Sequence, residues 1–152
     1  MSVLFRNSQK AMNVLPSSVE ALAEFVLQRE GASEKEVSVL FVDDTEISEL
    51  NARHLGRNGP TDVLAFPMSG EEHLNFRPEI LGDVVVSAER AISYAKEHEL
   101  KAENELSLYL IHGLLHLLGY DDVNETAARK MRRREKELLQ EAGERGLFIR
   151  TG

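Results

Sequence analysis

The 152-residue sequence contains no cysteine. That absence excludes a disulfide framework, thiolate zinc centres, iron–sulfur clusters and thiol nucleophiles. Any metal site has to be built from histidine and carboxylates. Long apolar runs are missing too. No such stretch reaches ten residues, against the ~20 needed to span a bilayer, so no membrane partner is expected. The N-terminal residues Met1–Asn7 lack a basic segment followed by an apolar run and a small-residue cleavage site, and a cytoplasmic location is the default. Internal repeats and low-complexity segments are also absent. Positive charge is in deficit, with 18 Lys plus Arg against 26 Asp plus Glu for a net −8. On average that argues against coating nucleic acid through bulk charge.

What remains is an ordinary globular composition, 42% hydrophobic and 29% charged, at a length that suits one domain spanning 1–152. Val3–Phe5 reads as a short strand. Pro16–Glu20 reads as a helix start, with Ser17 and Glu20 at capping-box spacing, and Gly31 as the stop. Val37, Val39 and Phe41 alternate as in a strand. Thr45 is placed to cap a short helix, Gly56–Pro60 is loop-like, and Val63–Phe66 reads as a strand ended by Pro67. The polar stretch 69–78 reads as a loop. Leu81–Val86 is β-rich, Ser87 is placed to cap a helix over 88–99, and two further helices are expected near 103–118 and 124–142. The mixture predicts an α+β fold with one sheet covered by helices.

The chemistry concentrates in His112-Gly113-Leu114-Leu115-His116-Leu117-Leu118-Gly119-Tyr120-Asp121-Asp122. Leu106, Leu110, Leu114 and Leu117 give the segment a core-facing side. His112 and His116, four residues apart, lie about 40° apart around a helix and ~6 Å along it, so both imidazoles can address one ion. Gly119 falls where a left-handed residue ends a helix, and a reversal there brings Asp122 back towards the histidines. The spacing matches the three-ligand metzincin pattern with Asp in place of the last His. Zinc accepts carboxylate oxygen, and a His₂Asp set also admits harder metals such as manganese. The metalloprotease general base, the Glu of H-E-x-x-H, is replaced by Gly113, which counts against a peptidase. Glu105 shares the helical face of the histidines and reads either as a partner for an imidazole N–H or as a solvated residue.

The His-Gly-x-Leu-His run with Gly119-Tyr120-Asp121 resembles the signature of the YbeY family of bacterial endoribonucleases. Leu50-Asn51, Pro60–Pro67, Leu81–Val84, Met131 and Glu135 are similar to further blocks of that family. The resemblance implies a zincin-like single domain with one mixed sheet. It also implies zinc held by three His ligands; this chain offers His112 and His116 and departs at the third position, where Asp122 stands for His and admits Mn²⁺ or another divalent ion. It implies single-strand-preferring cleavage of RNA in rRNA maturation, at the 3′ end of small-subunit rRNA, and a part in ribosome quality control. The partners implied are rRNA and the small ribosomal subunit, with no DNA expected. Many family members carry Tyr-Arg where this chain has His54-Leu55, and that arginine serves the active site. Arg53 and Arg57 are the replacements on offer, and Arg57, in the glycine-containing loop, is favoured.

Charge is also segregated along the chain. Arg129–Lys136 holds six basic residues and one acid, a local +5, which leaves the rest at −13. Arg132, Arg133 and Arg134 are therefore candidates for contact with RNA phosphates. His54, His73 and His98 are weaker candidates for ligand roles. Lys96 and Arg90 are candidates to extend the basic surface. The competing readings are a non-catalytic ribosome-associated factor and a zincin-like hydrolase of another substrate class.

Overall fold

The computed structural model describes residues 3–68 and 79–152. The polar stretch 69–78 and His73 within it lie outside the described residues. Among the described residues the elements follow in the order β1 (Val3–Asn7), α1 (Pro16–Arg29), β2 (Glu36–Val42), α2 (Asp44–Leu55), β3 (Val63–Pro67), β4 (Ile80–Ser87), α3 (Ala88–His98), α4 (Ala102–Leu117) and α5 (Glu125–Glu144). The strands form one mixed sheet in the order β1-β2-β4-β3. β1, β2 and β4 run parallel, and β3 pairs antiparallel with β4. The expected α+β fold with one mixed sheet is what the chain adopts. No helix among the described residues is long and apolar enough to cross a membrane.

Strand alternation sends successive side chains to opposite faces, and the chain uses both. Val37, Val39, Phe41, Val84 and Val86 face the larger core, which α1, α4 and α5 complete with Leu22, Leu110, Leu114 and Leu138. Val42, Leu64 and Val85 point the other way and meet Ile47 of α2 in a smaller cluster. The stripe foreseen on α4 is buried, with Leu106, Leu110 and Leu114 at 0% exposure and Leu117 at 8%.

Most element boundaries fall within one or two residues of the sequence reading, but two caps differ. The Ser17–Glu20 capping box does not form. Leu15 is the N-cap of α1, without a side-chain bond, and Pro16 fills the first turn, where a missing N–H costs nothing. Ser18 is the serine engaged there. It donates to the Leu15 carbonyl and accepts from the Arg150 N–H, which ties the helix start to the C-terminal tail. On α2 the cap is Asp43, whose carboxylate accepts from the Glu46 N–H at 2.8 Å, and not Thr45. Ser87 caps α3 as expected.

Candidate active site

α4 crosses β3 and β4 at close range, and the sequence explains why it can. A Cβ built on Gly113 lies 2.5 Å from Val84 Cγ1 and 3.0 Å from Val63 Cγ2. No side chain fits there, so position 113 belongs to the helix–sheet contact. A glutamate at this position, as in the peptidase motif, would point into packed valines.

With Gly113 against the sheet, His112 and His116 emerge together at the edge of β3. Their rings meet edge to face, with centroids 4.7 Å apart. They line a cleft of about 450 Å³ together with Asn51, Arg57 and Thr61 from the α2–β3 segment and residues of β3. Among the described residues β3 is the outer strand on this side. Ser87 N–H donates to the Asp62 carbonyl and Met68 N–H to the Leu81 carbonyl. That parity turns the amides of Val63 and Ala65 away from β4, and it explains how Pro67 sits in a strand without losing a ladder bond.

Neither reading of Glu105 holds. It does not reach the histidines. It is buried beside Tyr109 of the same helix. Burial is the main cause that raises its pKa above the ordinary carboxylate value, reinforced by Asp62. The Tyr109 hydroxyl lies beside the Glu105 carboxyl, and burial, first among the causes, pushes its pKa well above normal. It is Glu135 of α5, 23 residues from His112, that accepts a hydrogen bond from His112 Nδ1. The carboxylate holds the proton on Nδ1 and leaves Nε2 with its lone pair. His116 is held below the usual imidazole pKa, first by burial and then by His112, while Asp122, the Tyr120 carbonyl and Glu135 oppose the shift. The lowered pKa of His116 favours its neutral imidazole, the form that binds metal.

The third expected ligand is placed differently. Gly119 takes φ +103° and turns the chain as foreseen. Asp121 then accepts from the Val123 N–H within the turn, and Asp122 stands exposed, close enough for its charge to bear on His116. Among the described residues no three His, Asp or Glu side chains gather closely enough to hold an ion. Two imidazoles converge here, and the expected carboxylate is not assembled with them.

The arginines separate. Arg57 lines the cleft, whereas Arg53 does not. In the basic run, Arg132 and Arg133 are exposed. Arg134 bonds Glu30 and Glu137, and Glu30 also accepts from the Tyr120 hydroxyl. Arg134 therefore anchors α5 to the end of α1 and leaves the phosphate-facing set. Lys130 lies over the Tyr120 ring on the same side. His54 packs on Phe66, and His98 stacks on Tyr94, both away from the cleft. Arg90 pairs with Asp62 at 3.7 Å and, with Lys96, borders a separate hollow.

Comparison with known proteins fits this arrangement. The family model described as Endoribonuclease YbeY matches residues 4–143. Among curated relatives, the Endoribonuclease YbeY of Syntrophus aciditrophicus is 40% identical over 143 residues, covering 91% of this chain and 88% of that protein. That of Syntrophotalea carbinolica is 41% identical over 135 residues, covering 88% and 90%. The solution structure of TM1509 from Thermotoga maritima superposes with a TM-score of 0.65 at 29% identity, covering 93% of this chain and 90% of that one.

Proposed function

The chain belongs to the YbeY endoribonuclease family, and from that premise we propose that it is a metal-dependent endoribonuclease. Its substrate is single-stranded RNA, and its work is rRNA maturation at the 3′ end of the small-subunit RNA and quality control of the small ribosomal subunit in the cytoplasm. The observation that carries the reading is the convergence of His112, His116 and Arg57 on one cleft.

His112, His116 and Asp122 are the residues that would hold the ion, zinc or manganese. Such an ion supplies Lewis-acid polarisation of a phosphoryl oxygen and lowers the pKa of bound water. The chain's own groups do the rest. Glu135 keeps the His112 proton on Nδ1, so Nε2 faces the reaction as a donor of electrons. Arg57 meets the charge that grows on the phosphoryl oxygens in the transition state. The outward amides of Val63 and Ala65 offer donors that ignore base identity. Arg132 and Arg133, exposed on the helix that carries Glu135, hold flanking phosphates. No carboxylate lines the cleft among the described residues, so the base that a peptidase would need at position 113 has no substitute there.

The test is cleavage of a single-stranded RNA oligonucleotide by chelated protein before and after zinc or manganese is restored. Cleavage should return with metal, fail in His116→Ala, and be slower on the duplex. Metal affinity measured in parallel should fall in Asp122→Ala. Failure of either metal to restore cleavage would leave a non-catalytic ribosome-associated factor as the better reading. Unchanged metal affinity in Asp122→Ala would remove that residue from the ligand set.

A further inference from the structure

α2 buries only two of its side chains, and one of them is an amide. Ile47 fills the apolar cluster beneath the helix. Asn51, one turn later on the same face, is only 4% exposed. Its Nδ2 donates to the Gly59 carbonyl at 3.1 Å. A carbonyl can only accept, so this bond fixes the orientation of the amide. Oδ1 is then left buried with no hydrogen-bond partner among the described residues.

The main chain of the same residue is engaged as well. The Asn51 carbonyl accepts from the Gly56 N–H and, at 3.4 Å, from the Arg57 N–H. Gly56 itself ends the helix in the left-handed region, at φ +65°. Asn51 therefore grips the loop 56–60 near both ends, once through its backbone and once through its side chain. Between the two grips lie Arg57 and Asn58, and both line the cleft with the histidines.

An apolar side chain at position 51 would complete the face begun by Ile47 and would leave no oxygen unpaired in the interior. Packing alone gives no reason for an amide there, whereas the loop does. We propose that Asn51 is a positioning residue, which clamps the loop 56–60 so that Arg57 stands over His112 and His116. The catalytic consequence rests on the ribonuclease reading of the cleft, and the clamp itself does not.

The test uses Asn51→Leu, which makes the position apolar and removes the side-chain grip on Gly59, and Asn51→Asp, which keeps the shape and removes the N–H donor. Both are compared with Arg57→Ala and combined with it. Both variants should melt within a few degrees of the parent, and trypsin should cut after Arg57 several-fold faster. The kcat on single-stranded RNA should fall about ten- to a hundredfold, the scale of a misplaced catalytic group, with KM little changed. Adding Arg57→Ala should bring no further loss, because Asn51 acts through Arg57.

An unchanged cutting rate after Arg57 overturns the proposal. So do losses that multiply when the two substitutions are combined. If one variant does not fold, the other carries the measurement. If both lose Tm in step with faster nicking, Asn51 is a packing residue and the clamp is refuted. A parent without RNA cleavage refutes the ribonuclease reading, while the trypsin rate still decides the clamp.

Discussion

The seating of α4 on the sheet is open to a perturbation of one methyl group. In Gly113→Ala the new Cβ would start 2.5 Å from Val84 Cγ1 and 3.0 Å from Val63 Cγ2. Val84 is fully buried and has nowhere to turn. Sliding of the helix is opposed by Leu106, Leu110 and Leu114, each at 0% exposure. The overlap is therefore relieved by lifting α4 from β3 and β4, and overpacking of this kind costs about 1–3 kcal/mol. In a domain of this size each kcal/mol lowers Tm by about 2–4 °C, so thermal unfolding followed by circular dichroism should show a drop of several degrees. Val84→Ala removes the nearer obstacle. The penalty of Gly113→Ala should thus be smaller in that background, and the cycle of two single variants and one double should be non-additive. Metal affinity should fall along with Tm in Gly113→Ala, since His112 moves with the helix. Gly113→Glu, which restores the peptidase motif, should unfold earlier still and gain no peptidase activity. A Gly113→Ala variant that melts with the parent, or an equal penalty in both backgrounds, would refute the close-contact account.

Three further outcomes are expected. Glu135→Gln should weaken metal binding by about ten- to a hundredfold while leaving the fold intact, as measured by calorimetric titration; unaltered affinity would separate Glu135 from the function of His112. Glu105 has a folded pKa above its unfolded value, so its stabilising contribution is complete below the ordinary carboxylate pKa and is lost as pH rises through the raised one. Denaturant midpoints of Glu105→Gln should accordingly fall less than those of the parent across that window, and parallel pH profiles would deny the burial effect. Arg134→Ala should cost about 1.5–3 kcal/mol, the scale of a charge-assisted hydrogen bond, whereas Arg132→Glu with Arg133→Glu should leave Tm nearly unchanged and lower both RNA affinity and the slope of its salt dependence; the reverse pattern would exchange their roles.

The contrast among the arginines shows where local sequence reading succeeds and where it stops. Strands and helices that carry their own period were legible, because burial is imposed residue by residue along one element. β2 and α4 are of this kind, and their valines and leucines lie where alternation and helical spacing put them. The His112–His116 pair was legible for the same reason, since four residues is a distance the helix itself guarantees. Partners supplied by another element were not. Glu135 reaches His112 from α5, and Glu105, read as either a histidine partner or a solvated residue, is buried beside Tyr109 instead. Ser18 is tied to Arg150 across 132 residues, which no capping rule can register. The basic run fails differently. Counted along the chain it is a single block of +5. At 100° per residue, however, Lys130 and Arg134 share one side of α5, where Tyr120 and Glu30 receive them. Arg132 and Lys136 fall on the far side, Arg129 and Arg133 lie between the two, and all four are exposed. Linear charge density therefore overstates the surface open to RNA, and of the exposed basic residues Arg132 lies nearest the side of α5 that carries Glu135, which holds His112 at the cleft.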